Sequence, residues 1–135
     1  MMMHQQRSPE MQECIQNCED CHRICMETEQ HCLQMGGKHA EASHIRLLHD
    51  CAQICHTSAD FMIRGSEFHG MTCGVCAEVC ARCADDCERI DPSDPMMKQC
   101  ADMCRRCAES CRQMASMTMG QHQGQTSSQW KLGSS

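Results

Sequence analysis

The sequence has few of the residues from which protein cores are usually built. It contains no Tyr, one Trp and two Phe, and Leu, Ile, Val and Phe together number fourteen of 135 residues. A composition this poor in large apolar residues is typical of disordered chains unless another residue type fills the interior. Sixteen Cys and fourteen Met are available for that role, because free Cys packs as a small apolar residue and Met as a flexible one. The sequence therefore predicts a core made largely of sulfur.

Other absences exclude whole classes of protein. The net charge is −6 with both signs interspersed, and no basic face interleaved with aromatic residues is present, which argues against nucleic-acid binding. No apolar run approaches the length of a membrane span, so we predict no membrane insertion. The start of the chain, MMMHQQRSPEMQE, has neither the apolar stretch nor the cleavage site of a signal peptide. We therefore expect a cytoplasmic protein, in which thiols stay reduced and their abundance favours metal binding over disulfides.

Glycine and proline divide the chain into four segments of helical length. The breaks fall at 36–38, 64–70 and 91–95, and the segments cover 9–35, 39–64, 71–90 and 94–118. Ser8-Pro9 and Asp94-Pro95 each place a capping side chain before a proline that suits the first helical position. Short connections between helices of similar length favour antiparallel neighbours. We predict an all-α, up-down-up-down four-helix bundle over 9–118. A flexible N-terminus (1–8) precedes it, and a disordered tail (119–135) follows, whose last residues resemble a cloning remnant.

The cysteines recur at intervals of three and four, the spacing that keeps side chains on one face of a helix. In CGVCAEVCARCADDC, at 73–87, the intervals are 3, 4, 3 and 4. In the first segment, Thr28 occupies a position where the spacing would place another cysteine. The second segment contains only two cysteines. We predict that all sixteen thiols line the interior and bind metal: Cys14, Cys18, Cys21, Cys25, Cys32, Cys51, Cys55, Cys73, Cys76, Cys80, Cys83, Cys87, Cys100, Cys104, Cys107 and Cys111.

The cysteines form a stripe of thiols along one face of each predicted helix. Functions that do not involve a monovalent metal ion agree poorly with this stripe. A core that uses Cys only as a small residue would fill space poorly and accounts for one or two thiols rather than sixteen. Disulfides along one helix face need strained geometry, zinc requires isolated tetrahedra, and iron–sulfur clusters usually take cysteines from loops. A di-iron centre needs two inward Glu-x-x-His pairs, but the pair Glu19/His22 points outward and Glu41/His44 has no second partner.

A soft monovalent ion fits the stripe better. Cu(I) accepts thiolate and thioether ligands, and neighbouring ions can share bridging sulfurs. Sixteen buried thiolates cannot remain uncompensated in a low-dielectric interior. An equal number of Cu(I) ions neutralises them, whereas the same number of divalent ions would overcharge the core. The sequence therefore predicts many Cu(I) ions per chain, about one for each cysteine.

Residues near the segment ends are candidates for further contacts with copper. Three histidines are candidate auxiliary ligands: His39, His44 and His69. Four others mostly fall off the thiol row and are expected at the surface: His22, His31, His49 and His56. Methionines gather at the end where the first and third helices start, which predicts a copper entrance with first contacts at Met62, Met71 and Met114. The opposite end collects Leu and Ile side chains, so we expect an apolar plug there.

The inward runs CIQNCEDCHRIC, CGVCAEVCARCADDC and CADMCRRCAESC resemble those of the bacterial copper storage proteins, a cysteine-rich family of four-helix bundles, over about residues 9–118. The resemblance implies a core filled by many Cu(I) ions, the sixteen cysteines as ligands, no catalytic centre and assembly as a homotetramer. The lack of a leader resembles the cytosolic branch of the family, and the two-cysteine second helix is expected to lower capacity. Cu(I) storage or sequestration is the leading hypothesis. Delivery of copper as a chaperone and thiol redox sensing are the alternatives.

Overall fold

The protein is an antiparallel bundle of four helices. The computed structural model describes residues 7–121, with side chains as far as residue 117. The helices are α1 (Pro9–Met35), α2 (Ala42–Ile63), α3 (His69–Ile90) and α4 (Pro95–Gln121), and a short 3-10 helix (Gly37–Ala40) precedes α2. α1 packs against α2 and α4, and α3 packs against the same two helices. The predicted fold class is confirmed.

The helix boundaries lie close to the predicted ones. His39 belongs to the 3-10 helix rather than to α2, which begins at Ala42, and α4 continues to Gln121, beyond the predicted end at 118. The predicted flexible residues 1–6 and the tail from 122 onward lie outside the described residues. Between residues 7 and 121, no helix is both long enough and apolar enough to cross a membrane.

Side chains and glycines mark the helix ends where the sequence predicts them. The Ser8 hydroxyl accepts a hydrogen bond from the Met11 amide at 3.1 Å, and Pro9 follows at the first helical position. Asp94 Oδ1 accepts one from the Met96 amide at 2.9 Å at the start of α4. Gly36 ends α1 with φ 72°, in the left-handed region that residues with a Cβ rarely adopt. These caps fix both ends of α1 and the start of α4.

The interior contains all sixteen cysteines, each with 0% of its surface exposed. Next to them lie buried alanines that repeat every seven residues in three helices: Ala52 and Ala59, Ala77 and Ala84, Ala101 and Ala108. Small side chains at these positions allow neighbouring helices to approach closely, since interaxial distance depends on the side chains at the contact. The largest side chains that are at most 2% exposed lie toward the helix ends: Leu48, Met62, Ile90, Met97, Met114 and His44.

Candidate metal centre

Cysteines from all four helices converge along the bundle axis. In five groups of four, every Sγ atom lies within 4.8 Å of the other three. In order along the bundle the groups are Cys25/Cys83/Cys100/Cys104, Cys21/Cys25/Cys51/Cys104, Cys21/Cys51/Cys55/Cys80, Cys55/Cys76/Cys80/Cys107 and Cys18/Cys76/Cys107/Cys111. Successive groups share two cysteines, so these twelve thiols form one continuous array, which we call the thiol column.

The thiols of the column contact one another across helices. Cys55 Sγ lies 3.5 Å from Cys80 Sγ, which joins α2 to α3, and 3.8 Å from Cys107 Sγ on α4. Cys107 Sγ in turn lies 3.7 Å from Cys18 Sγ on α1. These separations are far longer than a disulfide bond of about 2.05 Å, and all sixteen cysteines are free. The column therefore presents unmodified sulfur ligands from four directions.

Hydrogen bonds between the thiols of the column shift their pKa values in opposite directions. Hydrogen bonds with Cys100 and Cys21 raise the pKa of the Cys104 thiol well above its ordinary value, and the same hydrogen bonds lower the pKa of those two partners. Burial, assisted by the negative charge of Asp94, raises the pKa of Cys32 to about 12. A thiolate is the metal-binding form of cysteine, so a metal ion that enters must displace these protons.

One end of the column is formed by the start of α1 and α3 and the end of α2 and α4. There Cys14 Sγ lies 3.6 Å from Cys111 Sγ, which is itself part of the column. Cys73 Sγ lies 3.2 Å from the hydroxyl of Ser58. The thiols thus continue without interruption to this end of the bundle.

The three methionines predicted to make the first contacts with copper belong to the helix termini of this same end. Met62 and Met114 are 1% and 2% exposed, and Met71 is half-buried. We call this region, defined by Met62, Met71 and Met114, the methionine end. His69 is also here, with its Nδ1 atom 2.8 Å from the Ser66 carbonyl oxygen. The side chain of Met119, which the sequence also assigns to this end, lies outside the described side chains.

The opposite end combines three kinds of ligand. Cys32 Sγ lies 3.5 Å from His44 Nε2 and 3.5 Å from Met97 Sδ. His44 is fully buried, and its Nδ1 atom lies 2.8 Å from Asp86 Oδ2. Although burial alone would raise the pKa of Asp86, hydrogen bonds from His44 and Arg89 hold it below its ordinary value. We call the group Cys32, His44, Met97 and Asp86 the histidine end.

This arrangement is typical of a metal-binding histidine. When a carboxylate accepts a hydrogen bond from Nδ1–H, the Nε2 lone pair is left for a metal ion and the ring is held in position. The sequence predicts an apolar plug at this end, and that prediction is wrong in part. Leu48 and Ile90 are buried here, but His44 and Cys32 lie in the same interior, and Leu33 is 48% exposed.

The remaining histidines lie in different surroundings. His39 is buried, and its Nε2 atom lies 3.3 Å from a carboxylate oxygen of both Asp91 and Asp94. Of the four histidines expected at the surface, His49 and His56 are exposed and His22 and His31 are half-buried. His44 is thus a candidate auxiliary ligand whose ring nitrogen the structure places against a thiol.

The sequence profile of the copper storage protein family matches residues 7–116, which is most of the chain. Among solved structures, the Nmul_A1745 protein of Nitrosospira multiformis is 49% identical, with a TM-score of 0.75, and the match covers 80% of this chain and 96% of that one. The Cu(I)-bound copper storage protein BsCsp3 of Bacillus subtilis is 34% identical, with a TM-score of 0.73 and coverage of 78% and 98%. A cytosolic copper storage protein from Streptomyces lividans, solved with five coppers, is 28% identical, with a TM-score of 0.73 and coverage of 79% and 92%.

Proposed function

We infer from its core that this chain, which belongs to the copper storage protein family, stores Cu(I) in the thiol column. The observation that carries this inference is the sharing of cysteines between successive groups of four. A tetrahedral zinc site takes four thiolates of its own, so the twelve thiols of the column could form only three separate zinc sites. Cu(I), in contrast, accepts two or three thiolates and tolerates bridging sulfurs, so a continuous array can be filled throughout.

Charge balance sets the expected capacity at about one Cu(I) per cysteine. Sixteen thiolates with 0% exposure would be strongly destabilising in the interior without an equal positive charge. One monovalent ion for each thiolate leaves a neutral core. Because burial disfavours uncompensated thiolate charge in the apo-protein, each ion that binds should release about one proton.

The proposed ligands are the sixteen cysteines predicted from the sequence, with other residues completing the two ends. At the histidine end, His44 Nε2 and Met97 Sδ each lie 3.5 Å from Cys32 Sγ, so these three atoms can share one ion. At the methionine end, we propose Met62, Met71 and Met114 as the residues that pass ions to the column. His69 is proposed as an auxiliary residue there.

The burial of the thiols argues against the two alternative functions. A protein that delivers copper needs an exposed pair of thiols for exchange with its partner, and a redox sensor needs an accessible thiolate. Every cysteine here is 0% exposed, which supports storage instead. We propose a cytoplasmic location, by analogy with the Streptomyces lividans relative described as cytosolic. We also propose a homotetramer and no catalytic activity, in accordance with the family resemblance.

Titration of the reduced apo-protein with Cu(I), under anaerobic conditions and against a chromophoric chelator, tests the proposed function. We expect a plateau near sixteen ions per chain, the number of cysteines. Replacing Cys51, which belongs to two groups of the column, by Ser should lower the plateau by about one ion, and replacing the exposed Ser43 by Ala should leave it unchanged. Saturation at one or two ions would contradict storage, and a plateau near four would indicate discrete four-thiolate sites.

A further inference from the structure

A second group of metal-ligand side chains lies near the histidine end but outside the thiol column. It consists of His31 from α1, His39 from the 3-10 helix, and Asp91 and Asp94 from the connection between α3 and α4. His31 Nε2 lies 2.7 Å from Asp94 Oδ2. His39 Nε2 lies 3.3 Å from Asp94 Oδ2 and 3.3 Å from Asp91 Oδ2. Three separate segments of the chain therefore direct imidazole nitrogens and carboxylate oxygens to one point.

Both carboxylates are held so that one oxygen faces this point. Asp94 Oδ1 accepts the hydrogen bond of the Met96 amide at 2.9 Å, which leaves Oδ2 directed at the two imidazoles. Asp91 Oδ1 accepts hydrogen bonds from the Ser93 amide and hydroxyl at 3.1 and 2.8 Å, which leaves its Oδ2 directed at His39. Outer hydrogen bonds of this kind orient the ligands of protein metal sites.

His39 provides an independent indication that a ligand belongs here. Its side chain is 7% exposed, and that of Asp94 is 8% exposed. Although two carboxylate oxygens lie 3.3 Å from the buried Nε2 atom, neither makes a hydrogen bond with it. Buried nitrogens are rarely left without a hydrogen-bond partner, and each exception requires a physical cause such as a bound ion.

The distances also match a metal site. Ligand atoms about 2.0–2.1 Å from a tetrahedral ion lie about 3.3–3.4 Å from one another. Both His39 separations have this value. The shorter contact between His31 and Asp94, at 2.7 Å, is a hydrogen bond that would lengthen by about 0.6 Å when an ion replaces the shared proton.

We propose that His31, His39, Asp91 and Asp94 form a binding site for a divalent transition-metal ion, with Zn²⁺ as the four-coordinate ion that fits best. Two neutral imidazoles and two carboxylates carry a charge of −2, which one divalent ion neutralises. Nitrogen and oxygen donors of this kind suit Zn²⁺ rather than Cu(I), which prefers sulfur. The bound ion would link α1, the 3-10 helix and the α3–α4 connection, and would thereby stabilise the bundle near Cys32. The thiol column would at the same time hold a different metal.

The proposal can be tested with Co²⁺ as the probe, on full-length protein whose thiols are already occupied by Cu(I). We expect about one additional Co²⁺ per chain by equilibrium dialysis and elemental analysis. Its visible spectrum should show the bands of tetrahedral cobalt without sulfur-to-cobalt charge transfer. The double substitution His31→Gln/His39→Gln should weaken Co²⁺ binding at least tenfold. The matched control is His22→Gln/His56→Gln, which removes a histidine pair with ring centroids 4.9 Å apart, and should leave Co²⁺ binding unchanged.

A third variant keeps the test valid if the double substitution disturbs folding. Asp91→Asn retains the oxygen that accepts from Ser93 but removes the charge, and it should also weaken Co²⁺ binding at least tenfold while helix content by circular dichroism stays the same. The proposal is overturned if the Cu(I)-loaded parent binds no saturable Co²⁺. It is also overturned if the site variants bind Co²⁺ as well as the parent does, if the control loses the ion, or if the spectrum shows sulfur ligation. Copper content is measured in the same samples, so a failure of Cu(I) storage is distinguished from a failure of this site.

Discussion

The two ends of the thiol column differ in the chemistry that surrounds their last cysteines. At the methionine end the thiols continue to Cys14, 3.6 Å from Cys111, and the nearby helix termini carry methionines. At the histidine end Thr28 interrupts the row on α1, and Cys32 contacts an imidazole and a thioether. A thioether binds Cu(I) without losing a proton, whereas a Cys–His pair backed by a carboxylate holds its ring in position for a metal. We therefore expect the methionine end to exchange ions and the histidine end to retain them.

The largest expected effect concerns the column that both ends enclose. Cu(I) binds the folded state far better than the unfolded chain, and a single site at a thousandfold excess over Kd contributes about 4 kcal/mol. For a domain of this size that corresponds to a rise in Tm of about 20 °C, and many ions should raise it further. Thermal unfolding of apo and Cu(I)-loaded protein by circular dichroism measures the difference. Equal Tm values would show that Cu(I) does not bind the folded bundle in preference to the unfolded chain, and would contradict a metal-filled column.

A single substitution at each end should give unequal losses of stability in the apo-protein. His44→Ala removes a fully buried ring and leaves the Asp86 carboxylate without its 2.8 Å partner, so we expect a loss of about 2–4 kcal/mol. Met62→Leu conserves volume in an apolar position and should cost less than about 1.5 kcal/mol. Urea denaturation measures both.

Copper capacity gives a second readout for the same pair of variants. Replacing His44 should remove at most the one ion shared with Cys32, and replacing Met62 should remove none. Loss of half the copper in the His44 variant would mean that the histidine end organises the whole column. Equal losses of stability in the two variants would remove the distinction between the ends.

The column could be predicted from the sequence, and so could His44 as a candidate auxiliary ligand, but the contacts of His44 with Cys32 and Asp86 could not. Intervals of three and four place cysteines on one face of each helix, and this face is the one that is buried in all four. The contact of His44 with Cys32 and Asp86 depends on how far α2 is displaced along its axis relative to α1 and α3, and residue spacing within one helix carries no information on that displacement. The buried alanines that follow cysteines at seven-residue spacing, such as Ala77 and Ala84, were a readable signal for close helix packing.

The direction of copper entry is the next property that distinguishes the ends. The triple substitution Met62→Leu/Met71→Leu/Met114→Leu keeps the packing volume similar and should slow Cu(I) loading several-fold while leaving the final stoichiometry almost unchanged, because only weak transfer ligands are lost. Stopped-flow transfer from a chromophoric chelator measures the rate. The control is the double substitution Met26→Leu/Met103→Leu, at positions in the middle of α1 and α4 and away from both ends.

Met97→Leu tests the competing route at the histidine end, where the Met97 thioether lies 3.5 Å from Cys32 Sγ. If loading is as fast in the methionine-end triple variant as in the parent, while Met97→Leu slows it, ions enter at the histidine end and the proposed roles of the two ends are reversed.

The smallest expected effect concerns the interruption on α1. Thr28 is fully buried in the cysteine row, and its hydroxyl has no hydrogen-bond partner. Thr28→Cys should therefore raise the Cu(I) plateau by about one ion per chain and leave the apo-protein at least as stable, because an unsatisfied buried hydroxyl is removed. Thr57→Cys, at a position that is only half-buried, is the control and should not change the plateau. A Thr28→Cys variant with unchanged capacity would show that the row is not continuous through this position.

The most direct test of the account is a crystal of the Cu(I)-loaded protein measured with anomalous scattering at the copper edge. A continuous string of copper peaks is expected along the bundle axis. Neighbouring ions should share cysteines such as Cys55 and Cys80, which belong to two groups of the column, and one peak should lie between Cys32 and His44. Three or four isolated peaks, each enclosed by four thiolates that no other ion contacts, would contradict the claim that the column binds copper as one array.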